Sequence, residues 1–306
     1  MGGEKMKTSF ETIVQIDKIG EISHNRLNEI LPLAEKEEMT PSYLDKKKSL
    51  LLLIDFQNDF MDHGPLGVPG ALKDVERVTR FLYNHMEKIT DIALSLDTHI
   101  PTQIFHPCWW QDEEGKEPVP FTIISSEEVI TGKWKPRFYE KESKDYVENL
   151  EKLGKKKLCI WPYHCIEGTP GNALESQLAN IVYFHSVARK SKINTIVKGL
   201  APVTEMYGIF RPEYSPENFV NESLLETMLS YDQIFVAGEA KSHCVLESVR
   251  QLVEYFGSKG RDASNMILLE DCTSPIRGFE EETEKAFKDL QETYGLRFAN
   301  STEVEF

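Results

Sequence analysis

What most constrains the fold of this chain is a rhythm that begins at residue 49. Leu50, Leu51, Leu52, Leu53 and Ile54 run consecutively. The run is too short for a free-standing helix and lacks the polar alternation of a half-exposed strand, so it reads as a strand buried on both faces. Comparable runs at 92–97, 195–198, 233–238 and 266–271 predict four more strands, and the segments 71–87, 172–188, 222–230, 243–256 and 280–294 carry helical spacing between them. Continuous apolar strands separated by helices are what a parallel sheet covered on both faces requires. The expected fold class is α/β, a doubly wound, mainly parallel sheet flanked by helices.

The division of the chain follows from where the rhythm starts and breaks. Residues 1–48 are polar, with Leu27, Ile30 and Leu31 at helical spacing interrupted by Pro32, and read as an N-terminal helical extension. Residues 49–306 form one domain, broken at about 101–156 by an insertion rich in Pro, Trp and charge. Loops of that length carry lids or binding surfaces, so the stretch 107–137 is expected to supply pocket walls. The run Lys155, Lys156, Lys157 reads as a solvated turn.

Bulk charge excludes several classes of partner. With 50 acidic against 35 basic residues, a net charge of −15, the chain repels nucleic acid and anionic membrane. Five widely spaced cysteines in a chain of 306 residues suit a reducing compartment, the cytoplasm. The first residues have no apolar signal core, and Met6 stands where a myristoylation signal wants Ser or Thr. No apolar run approaches the roughly 20 residues that span a bilayer. The expected partners are therefore a small molecule and further copies of the chain, as a homo-oligomer.

In an open parallel sheet, reactive groups collect beyond the carboxyl ends of the strands. Asp55, Asp97 and Lys198 end the first three strands, and the turn from Gly238 to Cys244 follows the fourth, so all are expected on one rim. Cys244 opens a helix, where unpaired N–H groups favour thiolate; a lone cysteine there more often simply packs. A carboxylate at Asp55 to take the thiol proton and an ammonium at Lys198 to hold that carboxylate would complete a nucleophile, base and orienting group. Asp97 and His99, two apart at a strand end, point the same way, and His164 is a third candidate ligand. One carboxylate and two imidazoles suit Zn²⁺ first, or Mn²⁺ or Fe²⁺. His106 reads as a packing or supporting histidine.

Five ordered motifs carry a resemblance: Ile54 through Phe60 (IDFQNDF), Asp97-Thr98-His99, Trp161 through Thr169 (WPYHCIEGT), Lys198-Gly199, and Gly238 through Val245 (GEAKSHCV). Together they resemble the isochorismatase-like cysteine hydrolases, in particular their nicotinamidase (pyrazinamidase) branch. The resemblance implies a catalytic triad of Asp55, Lys198 and Cys244, a metal held by Asp97, His99 and His164, and a cis peptide at Glu239-Ala240. It further implies an oxyanion hole from the N–H groups of Ala240 and Cys244, and a substrate pocket walled by Phe60, Trp161 and Tyr207. The implied activity is hydrolysis of a small carboxamide, nicotinamide to nicotinate and ammonia, within NAD salvage, through a thioester.

The chain departs from that pattern in its extension, its insertion, Glu167, and Lys241-Ser242-His243 ahead of the cysteine. These departures bear on which carboxamide or carbamoyl compound is taken more than on the chemistry. Two rival readings follow: a metal-free relative acting on isochorismate or carbamoyl compounds, against which Asp97, His99 and His164 argue, and a non-catalytic binding or scaffold protein retaining the fold, against which the triad argues.

Overall fold

The computed structural model describes residues 6–23, 26–153 and 156–306. The expectations about the first five residues, and about Lys155 in the lysine run, lie outside the described residues.

The central sheet has six parallel strands: β1 (Ser49–Ile54), β2 (Asp91–Asp97), β3 (Ile193–Lys198), β4 (Gln233–Gly238), β5 (Met266–Leu269) and β6 (Arg297–Ala299). They lie side by side in the order β6-β5-β4-β1-β2-β3. Five were expected; β6, only three residues long and half-exposed, carries too little apolar text to be read alone. The fold is the expected doubly wound α/β sheet. From β1 the chain winds outward through β2 to β3, then crosses back to β4 on the other side of β1, so the strand order reverses between β1 and β4. Register across this junction pairs Ile54 with Gly238, and on the other flank Asp97 with Lys198. The groups that follow these strands therefore meet where two strands splay apart, the place at which open α/β sheets bind ligands.

β1 is buried throughout because its alternate residues enter two cores. Leu51 and Leu53 pack on the face covered by the helices Ala71–Asn84 and Ser176–Arg189. Leu50, Leu52 and Ile54 pack on the face covered by Leu246–Ser258 and Glu280–Tyr294. Each such leucine contributes roughly 1.5–3 kcal/mol of transfer free energy, so this strand anchors both layers.

The segment before β1 is part of the first core. Phe10, Ile13, Val14 and Ile30 are buried in it, and the helix Leu27–Ala34 continues through Pro32 to pack beside Ser176–Arg189. Polar ties fix the contact. Glu175 caps Ser176–Arg189 by accepting from the N–H groups of Gln177 and Leu178, and its other oxygen accepts from Gly20 N–H at 3.1 Å. At the helix's far end, buried Arg189 donates to both oxygens of Asp45 at 2.8 and 2.6 Å.

The insertion is more ordered than its composition suggests. It holds the helices Ser126–Ile130, opened by a Ser125/Glu128 capping box, and Glu140–Lys152, whose Tyr146, Val147 and Leu150 form a buried stripe. Trp109 and Trp110 are fully buried, their indole N–H groups donating to Ser143 Oγ (2.9 Å) and the Ile104 carbonyl (2.6 Å). Among the described residues, no helix is long and apolar enough to cross a membrane.

Candidate active site

Asp55 follows β1 in a left-handed conformation (φ 49°), which turns the chain out of the sheet plane. Ser95, a buried hydroxyl inside apolar β2, accepts from Asp55 N–H at 3.1 Å and donates to Asp55 Oδ1 at 2.6 Å, locking the carboxylate's direction. Lys198, fully buried at the end of β3, places its Nζ 3.0 Å from Asp55 Oδ2, 2.9 Å from Asp97 Oδ1 and 3.7 Å from Cys244 Sγ. A third donor bond, to the Met206 carbonyl at 3.0 Å, fixes the ammonium. The carboxylate oxygens of Asp55 and Asp97 and the sulfur of Cys244 lie within 4.8 Å of one another. The structure thus brings Asp55, Lys198 and Cys244 together around one ammonium.

Electrostatics assign the resting protonation states. Burial would discharge Lys198, but Asp55, Asp97 and Cys244 around it raise its pKa well above the usual lysine value, so it stays an ammonium. Burial raises Asp55, with Lys198 opposing, which makes it a better proton acceptor than a solvated carboxylate. Burial also raises Cys244 well above the usual thiol value despite Lys198, with both aspartates adding to the rise. This corrects the expectation drawn from its position near a helix start. Cys244 sits in a single π-helical turn, Lys241–Val245, ahead of the helix Leu246–Ser258, and its burial, with two carboxylates nearby, outweighs the pull of Lys198. The resting group is a thiol beside a basic carboxylate.

The backbone around the cysteine has the expected form. The Glu239–Ala240 peptide is cis, and the Ala240 carbonyl accepts from the N–H groups of His243 and Val245 at 3.0 and 3.2 Å, folding the loop tightly over Cys244. Ala240 and Cys244 both line the pocket.

Asp97, His99 and His164 form a second buried cluster whose ligand atoms lie within 4.8 Å of one another. Asp97 Oδ2 is 2.9 Å from His99 Nε2 and 3.8 Å from His164 Nε2. The other ring nitrogens face backbone carbonyls, His99 Nδ1 that of Gly199 (3.2 Å) and His164 Nδ1 that of Pro162 (2.8 Å). A proton on each Nδ1 satisfies those carbonyls and turns two lone pairs and a carboxylate toward one point, an arrangement that calls for a cation between them. The residues fit a divalent ion. Gly199, at φ 84°, completes the cradle: a Cβ there would stand 2.7 Å from both Asp97 Oδ1 and the His99 ring. His106 packs edge-on against His99 and His164, its Nδ1 on the Pro101 carbonyl at 3.0 Å, and burial with those two imidazoles nearby lowers its pKa to about 3.

Cys244 of the first cluster and Asp97, His99 and His164 of the second line one pocket. Phe60, Phe105, Trp161, Tyr207 and His243 form its aromatic wall, with Glu205 and Met206 beside them. Phe60 stands T-shaped to the His164 ring at 5.6 Å, and Trp161 to His243 at 5.5 Å. No residue from 107–137 lines this pocket among the described residues, contrary to expectation. That stretch packs its tryptophans into the first core and meets the site's wall through Phe121, which packs edge-on against Trp161 at 5.8 Å.

Several residues that hold the site were not singled out from the sequence. Gln57 brackets the Asp97 backbone, accepting its N–H and donating to its carbonyl, both at 2.7 Å. Asn172 donates to the same carbonyl at 2.9 Å. Ser95 had a legible signal, a hydroxyl within a strand buried on both faces. Glu205 had none, since its loop carries no periodicity to say which way it points.

No family model matches the sequence, and no curated protein matches it. Solved structures do. The yeast nicotinamidase bound to the inhibitor nicotinaldehyde superposes with a TM-score of 0.57 at 20% identity, covering 82% of this chain and 99% of that one. The Acinetobacter baumanii nicotinamidase/pyrazinamidase gives 0.56 at 19%, covering 85% and 99%. An L. infantum protein in complex with nicotinate gives 0.53 at 17%, covering 87% and 97%. At these identities the likeness is one of fold: the chain shares the fold of these solved structures.

Proposed function

We propose that this chain is a cysteine amidohydrolase that cleaves the C–N bond of a small carboxamide, assisted by a divalent metal. The observation that carries the reading is the position of Lys198 Nζ, 3.0 Å from Asp55, 2.9 Å from Asp97 and 3.7 Å from Cys244, joining a nucleophile–base pair to a metal-ligand cluster. The fold shared with nicotinamidases supports nicotinamide as the first substrate to try.

In this reading Asp55 takes the proton of Cys244 as sulfur attacks the amide carbon, and Lys198 balances the negative charge that would otherwise build between two carboxylates. The N–H groups of Ala240 and Cys244 receive the developing oxyanion. Asp55 returns the proton to the departing nitrogen, ammonia leaves, and water activated by the same carboxylate hydrolyses the thioester to the acid. The aromatic wall of Phe60, Trp161 and Tyr207 holds the acyl group and excludes bulk water. Asp97, His99 and His164 would hold the metal, with zinc first and manganese or iron as alternatives; when bound, it supplies a Lewis-acidic anchor for a donor atom of the substrate.

Ammonia release from nicotinamide, pyrazinamide and ureido and carbamoyl compounds, with and without chelator, tests the proposal. Release from at least one member, lost on metal removal and restored by metal, is expected. Silence across the panel overturns the amidohydrolase reading, and activity that survives full demetallation overturns the part given to Asp97, His99 and His164.

A further inference from the structure

Glu205 stands in the wall of the pocket that Cys244 faces, is only 3% exposed, and has no part in the steps above. It is held on two sides. Trp161 Nε1 and the Tyr207 hydroxyl both donate to its Oε1 at 2.7 Å, and its own backbone N–H donates to the Tyr146 hydroxyl at 3.1 Å. An indole N–H only donates, so Oε1 acts as acceptor there, and the carboxylate's other oxygen lies outside this pair of bonds.

A buried carboxylate is costly unless a cation faces it. None of the ion pairs among the described residues includes Glu205, and the lysines of the neighbourhood are engaged elsewhere. Lys198 is held between Asp55 and Asp97, while Lys156 pairs with Glu247 at 3.4 Å and lies over the Tyr207 ring, 4.1 Å from its centroid. Burial raises the Glu205 carboxyl to about 7, so a cation arriving beside it would hold it ionised. The rest of the wall suits such a cation as well, because Trp161, Phe60 and Phe105 line it and aromatic rings attract cations. Lys156 offsets only part of the cost of ionising Glu205, which stays raised, and a cationic ligand would supply the rest.

We propose that Glu205 is the specificity-determining residue of this pocket and selects carboxamides whose acyl portion carries a cationic N–H group. The inference rests on the amidohydrolase reading and sharpens its substrate: a compound the size of nicotinamide, with a protonated amine in place of a neutral ring nitrogen. Pyridine nitrogen accepts a hydrogen bond and brings no charge, whereas the ammonium of piperidine-3-carboxamide donates to the carboxylate with a ring of the same size.

The test compares nicotinamide with piperidine-3-carboxamide in two readouts. Calorimetry measures binding of each to the full-length Cys244→Ala chain in its metal-bearing form, with and without Glu205→Gln, and ammonia release measures turnover of each by the chain with Cys244 intact. The expected result is a preference for the cation of about tenfold or more, which falls to near unity in Glu205→Gln. A purely structural Glu205 would weaken both ligands together and leave their ratio unchanged, and that outcome overturns the proposal, as does equal or tighter binding of nicotinamide or no binding of either. The two readings fail separately. A Glu205-dependent preference in binding with no ammonia from either compound sinks the hydrolase and leaves the selectivity. Faster turnover of nicotinamide with and without Glu205→Gln does the reverse.

Discussion

At the scale of single residues, Lys198 carries the most weight, because one ammonium pairs with two buried carboxylates. Replacing it by Ala leaves Asp55 and Asp97 uncompensated in the interior, and the expected loss is about 3–5 kcal/mol of stability by chemical denaturation, in addition to lost activity. A loss under about 1 kcal/mol would mean that one aspartate is protonated in the native site. Asp55 must be ionised to accept the thiol proton, and burial raises its pKa. Activity is therefore expected to fall, on acidification, at a pH above the ordinary carboxylate range, read from the acid limb of kcat/KM. A limb at or below that range would remove Asp55 as the base. Gly199→Ala tests the metal cradle: a Cβ 2.7 Å from Asp97 and His99 must displace them, so metal per purified chain is expected to drop while the fold, by circular dichroism, persists.

At the scale of elements, the segment before β1 covers the helix Ser176–Arg189 and fills the first core with Phe10, Ile13 and Ile30. A chain starting at Ser49 would expose that apolar face, and the expected outcome is a lowered melting temperature with binding of a hydrophobic dye. Unchanged melting would show the segment to be dispensable. The strands and helices of the sheet were legible because their periodicity reports burial directly: Gln233–Gly238 and Glu280–Tyr294 fall where the text places them. The insertion was not, because tryptophan and proline say that a segment packs without saying against what. Its helix Glu140–Lys152 buries only Ser143, Tyr146, Val147 and Leu150 amid charge, and its tryptophans turn inward and leave the pocket wall to others. Asp55, Asp97 and Lys198 could be anticipated on one rim because they end or directly follow strands, whereas Cys244 and His164 were singled out by the motifs that carry the family resemblance. Glu205 lies in the loop after β3, where only tertiary structure decides what it faces.

At the scale of the whole molecule, acid sensitivity has a source remote from the site. His185, buried in the helix Ser176–Arg189, donates from Nε2 to the Ile89 carbonyl at 2.9 Å, and burial lowers its pKa to about 4. Between an unfolded value of about 6.5 and that folded value the unfolded chain binds the extra proton, so stability is lost as pH falls through this window, by roughly 3 kcal/mol from this group. His185→Gln, which keeps a donor without a titrating ring, is expected to flatten the melting temperature across the window; an unchanged profile would assign the loss to other groups. The sheet order puts β1 beside β4 at the point where the winding reverses, and this junction brings a base from one half of the chain to a thiol from the other. That encounter is the central claim. Its most direct measurement is the intact mass of the chain quenched in acid during turnover of its best carboxamide. The account predicts a substoichiometric adduct of the acyl mass, mapped to the peptide bearing Cys244 and absent from Cys244→Ala, which releases no ammonia. Turnover that persists in Cys244→Ala, or an acyl group found on another residue, would contradict it.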